Sequence, residues 1–379
     1  MYYAEDVVKQ LRRYDQIIVF GAGIVAFNAI NCLIRTPYRF KIEYCIVSDL
    51  SVNPKQIMGI PVIDFAMAEK KVKKDRIIMI AVTDKNLAVV QDMLYSHGYF
   101  NTLSIAFHSD LWEQIRGNYF REYCLLNKEP CVTLEEELKK ISAPLYKTAA
   151  YDKIHIYEVR SHVDQRLIEE TPDFKWEIPI QAGAALTRAK VCGIQDNIGD
   201  NISEKNREYC ELTALYWIWK NDTSDYLGLC HYRRHFQLDW DIIRRLEHSD
   251  IDVVLTIPIL NFPSVREVYE NDHMIEDWDI MLEVIERFEP TYRKAAEIVQ
   301  SGQYYYGYNM FIMRREILDN YCKWLFPILD YCERYCGKKK DSYQNRYLGF
   351  MAERLLTIYF IHHKKDYKIV HARKHFIEK

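Results

Sequence analysis

The chain has 379 residues, 49% hydrophobic and 28% charged, with a formal net charge of −3. Such a length predicts about two or three domains, the balance excludes a disordered chain, and so small a charge gives nucleic acid no electrostatic hold. Ten cysteines are scattered without CxxC pairs, and Cys332 and Cys336 have no second pair to complete a zinc site, so reduced thiols are expected.

The opening stretch, MYYAEDVVKQLRRYD, is charged and lacks the apolar core of a signal peptide. No run of about 18 apolar residues follows, so a cytoplasmic protein is expected. Residues 16–36, QIIVFGAGIVAFNAINCLIRT, predict a buried strand, a glycine turn and a helix. Gly21 and Gly23 permit a tight turn and close backbone approach to a phosphate, with Ala26 in place of a third glycine. A second strand over Lys41–Val47 leads to Asp49, about where an acidic residue meets a ribose hydroxyl in dinucleotide-binding units. A third strand over Arg76–Val82 and a helix over Asp84–His97 complete the period. Residues 1–125 therefore read as a Rossmann-like unit, one that binds a nucleotide or serves as a docking domain.

Between Phe107 and Ala150 the pattern loosens. A short helix is expected over Leu134–Ile141 and a break at Pro144, so 126–150 reads as a connector and 151–379 as a second domain. That domain starts with KIHIYEVRSH, apolar on alternate positions until Arg160, Ser161 and His162, as the nucleotide-binding half of an α/β fold begins. Gln181, Ala182 and Gly183 follow in a small-residue loop able to lie close to a ligand.

The stretch from Asp196 to Phe236 organises the rest. Ser203 as N-cap and Glu204 at the positive end of a helix dipole predict a helix start, with Leu212, Tyr216 and Trp219 on one buried face. Turn formers at Asn221–Asp225 end it, and Tyr226–Cys230 reads as a strand too apolar for a sheet edge. His231, Tyr232, Arg233, Arg234 and His235 then stand at its carboxyl end, where open α/β sheets bind ligands. A buried strand is expected at Asp252–Pro258, a helix in ENDHMIEDWDIMLEVIERF with Glu276 and Asp277 near its start, a strand over Asn309–Met313, and a helix in QNRYLGFMAERLLTIYFIHH. The basic tail, HHKKDYKIVHARKHFIEK, reads as a solvated end or as a peripheral contact with anionic lipid at the inner face of the membrane.

Four phrases, PIQAGAAL, DNIGDNISEKNREYCELTALYWIWKN, YLGLCHYRRHF and GFMAERLL, resemble a bacterial family long catalogued as a domain of unknown function. It occurs in capsule and exopolysaccharide gene clusters, and its members are taken to be glycosyltransferases. The resemblance runs from Lys153 to the C-terminus. VFGAGIVAFNAI, IVSDLSVN and GIPVID are similar to the nucleotide-sugar-binding N-terminal domain of certain sugar acetyltransferases. These resemblances imply an α/β protein, a Rossmann-like domain followed by a GT-A-like glycosyltransferase domain. The implied reaction moves a hexose, galactose in pyranose or furanose form, from a UDP-sugar to a lipid-linked or glycan acceptor of a cell-surface polysaccharide. The alternative is a catalytically silent nucleotide-sugar-binding scaffold. A nicotinamide-dependent enzyme centred on Gly21 and Gly23 is disfavoured, because residues 1–125 hold no Tyr-x-x-x-Lys pair.

Glycosyl transfer needs a stabiliser for the departing diphosphate and, when configuration inverts, a base for the acceptor hydroxyl. Many such enzymes hold a divalent metal with Asp-x-Asp. Three such triplets occur, Asp239–Asp241, Asp250–Asp252 and Asp277–Asp279, yet none directly follows the strand Tyr226–Cys230, where His231–Arg234 stands instead. Arginine can take the metal's electrostatic part, so no metal ligand is assigned and Mn or Mg remains an optional cofactor. On an extended backbone Arg233 shares the face of His231, which makes Arg233 the expected diphosphate contact. The donor-site set is Gln181, Gly183, Asp200, Asn201, Asn206, His231, Tyr232, Arg233, Arg234 and Asn309, with Asn206 near a helix N-terminus suited to anions. The resemblance makes Asp277 the base, since Glu276-Asp277 is similar to the acidic pair of inverting transferases, with His273 in reserve.

Overall fold

A computed structural model describes residues 4–106, 109–141, 153–167 and 174–377. The chain divides into two compact units, Met1–Pro130 and Cys131–Lys379. The first is built on six strands: β1 (Ile17–Phe20), β2 (Ile42–Val47), β3 (Gln56–Ile57), β4 (Ile60–Asp64), β5 (Ile78–Ile80) and β6 (Thr102–Ser104), in the order β3-β4-β2-β1-β5-β6. All neighbours pair in parallel except β3, which runs against β4. Continuous apolar runs such as IIVF are what a strand covered on both faces requires, and all four of its residues are buried. After β1 the chain turns through Gly21 at φ +131, where a side-chain carbon would meet the Ala81 carbonyl oxygen at 2.3 Å. Gly23 then caps the helix Ile24–Leu33.

The second unit holds a nine-stranded sheet. Its strands are β7 (Ile154–Arg160), β8 (Glu177–Gln181), β9 (Ile194–Gln195), β10 (Tyr226–His231), β11 (Arg234–Phe236), β12 (Val253–Thr256), β15 (Phe311–Arg314), β16 (Ile369–Ala372) and β17 (Lys374–Phe376), while β13 (Ile259–Leu260) and β14 (Tyr304–Tyr305) form a separate ribbon. The main path runs β16-β12-β15-β10-β7-β8-β9, with β11 joining β10 to β17. β7, β8, β9 and β10 are parallel; β15 runs against both β10 and β12, and β12 is parallel to β16. One edge of the sheet thus collects the carboxyl ends of β7, β8, β10 and β12 and the start of β15. β10 is fully central, as its apolar run requires.

One sheet face packs Ile154, Ile156, Cys230 and Ile312 against Leu134, Leu138, Ile243 and Leu246. The helix Leu134–Leu138 therefore belongs to the second unit, capped by Thr133 and Glu136 in a reciprocal box. Residues 131–141 are consequently part of this fold and not of a connector, and the rest of that stretch, 142–150, lies outside the described residues. The helix Arg315–Cys336 packs on β10 and β15. Part of the basic tail is folded into the sheet: β16 extends it beside β12, and β17 pairs with β11, while His362, Lys365 and Asp366 are exposed. No helix among the described residues is long and apolar enough to cross a membrane.

Candidate functional site

The hairpin that follows β10 sets the site. His231 pairs directly with Arg234 across a two-residue turn, Tyr232-Arg233. Directly opposed residues in an antiparallel pair share a face, so His231 and Arg234 stand side by side and Arg233 is turned away. This reverses the expectation from an extended backbone. Arg233 donates from Nε to the Ile377 carbonyl oxygen at 3.1 Å and lies over the Phe376 ring at 4.4 Å. Arg234 instead lies over the Tyr308 ring at 4.2 Å, and its buried Nε has no hydrogen-bond partner among the described residues. His231 donates from Nε2 to the Tyr308 carbonyl oxygen at 2.6 Å. A carbonyl only accepts, which fixes the proton on Nε2 and leaves Nδ1 as a lone pair. Burial lowers the His231 pKa and Arg234 lowers it further, against the opposing charge of Glu211, so the ring is neutral.

Opposite the hairpin, Tyr308 and Asn309 both take left-handed backbone conformations, φ +68 and φ +50. Two such non-glycine residues in a row persist only where surroundings over-determine them. Glu353 accepts from the Tyr308 amide and pairs with Arg354 at 2.6 Å. Asn309 is 1% exposed, donates to Glu211 at 2.7 Å, and keeps a buried Oδ1 without a partner in the protein. Burial raises the Glu353 pKa, with Arg354 and the Tyr308 amide working the other way. The helix Tyr347–His362 delivers this side of the site. Arg346, Gly349, Phe350 and Glu353 recur at three- and four-residue spacing, which places them along one face. Gly349 accepts from Asn309 at 3.4 Å and lets Cys210 approach, and Arg346 donates to the Cys210 sulfur at 3.3 Å. Cys210, at φ +52, ends a short helix (Asn206–Tyr209), and Glu211 opens the next, Leu212–Asn221. The single helix expected from Ser203 is thus broken in two, and the break puts Glu211 at the edge.

The loop after β8 is a built structure of its own. Buried Asp196 accepts from the amides of Gly183 (2.8 Å) and Ala184 (3.0 Å) and from the Ser203 hydroxyl. Ser203 is therefore occupied by this clamp and does not cap a helix. Gly183 has φ +66, and a side-chain carbon there would strike Asn206 at 2.6 Å. Gln181, fully buried, spends its amide on Ala189 and Val191. Asp200 accepts from Tyr216 and Asn201 accepts from the Ser203 amide, so both stabilise the loop on the helix behind it. Tyr232 donates its amide to Val159 at the turn.

Other expected residues lie in different surroundings. Asp277 is 1% exposed and bound to Lys339 Nζ at 2.6 Å, so its carboxylate is engaged in a largely buried ion pair. His273 stacks on Phe350 with centroids 4.1 Å apart and keeps a buried Nδ1 without a partner in the protein. Burial, helped by Arg354 and Arg346, pushes its pKa down to about 3. The aspartate triplets are spent elsewhere: Asp239 caps Ile242, Asp241 pairs with Arg245, Asp250 with Lys368, Asp252 with Arg314, and Asp279 with Arg266. Among the described residues, one His/Cys/acid trio has ligand atoms close enough for a metal, Glu177, Cys230 and His235, and it sits within the sheet core. There His235 uses Nδ1 on Glu177 at 2.6 Å and Nε2 on the Tyr232 carbonyl at 3.3 Å, so neither nitrogen is left over. A cleft of about 220 Å³ at the opposite edge of the sheet, lined by Lys153, Asp225 and Arg314, gathers none of the groups above. In the first unit, Asp49 is turned onto its own loop, accepting from the amide and hydroxyl of Ser51.

Residues 159–365 match the family described as a domain of unknown function, DUF4422. No curated protein matches the chain. Among solved structures it is similar to the apo structure of WbbM, a bifunctional glycosyltransferase, with 28% identity over 60% of this chain and 46% of that one and a TM-score of 0.53. The chain thus spans about half the length of that protein, and its fold is of the same α/β, glycosyltransferase-like kind. RSP, a Rex-family repressor, aligns at 15% identity over 33% of this chain and 68% of that one, at a TM-score of 0.23 that carries no argument.

Proposed function

The chain belongs to the DUF4422 family, and from that premise we propose that its second unit is a GT-A-type glycosyltransferase using a UDP-hexose donor and a cell-surface glycan acceptor. One observation carries the reading: His231, Arg234, Glu211, Asn309 and Glu353, drawn from four separate chain segments, converge on the carboxyl edge of a mostly parallel sheet. Arg234 takes the negative charge that gathers on the diphosphate as the anomeric C–O bond breaks. His231 offers the Nδ1 lone pair, which suits a donor-sugar hydroxyl. The aspartate triplets are engaged elsewhere, so in this reading the diphosphate charge falls to Arg234, and a divalent ion would have the His231 Nδ1 and a Glu211 oxygen to hold it. Glu211 accepts the proton of the attacking hydroxyl, since Asn309 engages one of its oxygens and the other has no protein partner among the described residues. Glu353 supports the strained Tyr308-Asn309 turn.

The first unit is an accessory nucleotide-binding or docking domain in this reading. Thermal shift against a panel of nucleotide sugars tests the donor, because a ligand of the native state raises its melting temperature. UDP release tests the chemistry. A UDP-hexose that binds and is never cleaved would leave the silent scaffold as the better account.

A further inference from the structure

The face of the helix Tyr347–His362 that carries Glu353 continues into a group of rings that the donor has no use for. Phe350 is half-buried one turn before Glu353, His273 stacks on it at 25° between ring planes, and Tyr343 lies 5.1 Å from Phe350 and 5.9 Å from His273. Tyr343 is 49% exposed although two other rings contact it. The guanidinium of Arg346 lies over Phe350 at 5.6 Å while its Nε reaches Cys210, the residue before Glu211. An aromatic wall therefore begins one turn from Glu353, is tied through Arg346 to the residue before Glu211, and runs outward to the exposed Tyr343.

Its chemistry is specific. Ring faces pack on the apolar C–H face of a sugar, whereas the surrounding hydroxyls need fixed polar partners. Arg346 supplies donors, and His273 supplies a neutral imidazole whose Nδ1 is buried without a protein partner. Arg346, Arg354 and Arg234 stand among Glu211, Glu353 and Asp272 nearby, so positive and negative charges are matched in number and select no ionic ligand. We propose that Tyr343, Phe350, His273 and Arg346 form the acceptor subsite, holding a neutral hexose ring with one hydroxyl directed at Glu211. This rests on the glycosyltransferase reading above.

The experiment compares wild type with Tyr343→Ala and Tyr343→Phe, the exposed position where folding is least at risk. Three measurements are made: UDP release without acceptor, transfer to n-octyl hexosides in both anomers, and saturation-transfer NMR of the same hexosides with no donor present. The subsite requires Tyr343→Ala to raise the acceptor KM by about tenfold, a loss of one good contact, while acceptor-free UDP release stays within about twofold. Tyr343→Phe should keep most of the affinity. An unchanged acceptor KM with intact UDP release overturns the subsite and leaves the transferase standing. If wild type cleaves no donor, the transferase reading fails, and the NMR decides the subsite alone: hexoside signals that are absent, or equal in wild type and Tyr343→Ala, overturn it.

Discussion

The first unit gathers its distinctive features in one loop, whereas the second assembles its site from segments far apart in the chain. Gly21, Gly23 and the helix they open all lie between Gly21 and Leu33, and Asp49 closes on its own turn. At the carboxyl edge of the second unit, Glu211 meets Asn309 98 residues later, and Tyr308 meets Glu353 45 residues later. A local glycine turn is cheap to keep when its ligand is lost, because it also serves the fold. Gly21 demonstrates this, since any side chain there would strike Ala81. Polar and charged groups brought together from four segments are costly to desolvate and have no such second use. The contrast agrees with the proposal that the chemistry belongs to the second unit.

The largest test of that contrast is truncation. A fragment of residues 131–379 should fold and keep donor binding, whereas one starting at 151 loses Leu134 and Leu138, exposed 0% and 2%. Each such core loss costs about 2–5 kcal/mol, so the shorter fragment should melt far lower or fail to fold in a chemical-denaturation series. A well-folded 151–379 would show that residues 131–141 are dispensable.

Next comes the base. Glu211→Gln should cut turnover by about a hundredfold or more with donor affinity retained, as loss of a general base does. Asp277→Asn should behave in the opposite way, lowering the melting temperature because it leaves Lys339 buried without its charge partner, while turnover per folded molecule holds. Reversed results would restore Asp277 as the base.

The two arginines sharpen the comparison further. Arg234→Ala should weaken donor binding by about 1.5–3 kcal/mol, the range for hydrogen bonds to charged groups, with Arg234→Lys recovering only part. Arg233→Ala should change donor affinity little in a calorimetric titration, since that side chain is engaged by Ile377 and Phe376.

A smaller effect concerns pH. The folded-state pKa of His273, about 3, lies below the ordinary 6.5, so the unfolded chain binds the extra proton. Its contribution to stability is present above about pH 6.5 and is lost as pH falls from there toward 3. His273→Phe should therefore flatten the acid limb of melting temperature against pH. The smallest effect belongs to the first unit: Gly23→Ala, at φ −85 with open space around it, should leave donor turnover unchanged.

Much of the fold was legible because it is written in short apolar runs. β1, β2, β5, β7 and β10 fall where the sequence predicts them, and β10 is central as its composition requires. The site was legible only in part. His231 and Arg234 do stand at the carboxyl end of β10, as the sequence predicts, but which arginine faces His231 depends on a two-residue turn that strand periodicity does not reveal. Asp277 looked like a base because its partner, Lys339, is 62 residues away. Glu211 and Glu353 were overlooked inside phrases already singled out, NREYCEL and GFMAERLL. One signal was available: Arg346, Gly349, Phe350 and Glu353 repeat along a helix face that is neither purely apolar nor purely polar.

The pairing of β17 with β11 has a consequence for how the protein is made. Arg233 waits for a partner 144 residues further along the chain, so during synthesis the hairpin bearing His231 and Arg234 is finished long before β17 leaves the ribosome. Throughout that interval β11 has an open edge, a template for pairing with any extended chain nearby. Slow translation or early termination ahead of Lys374 would lengthen this exposure, and the resulting damage would appear as aggregation in the cell.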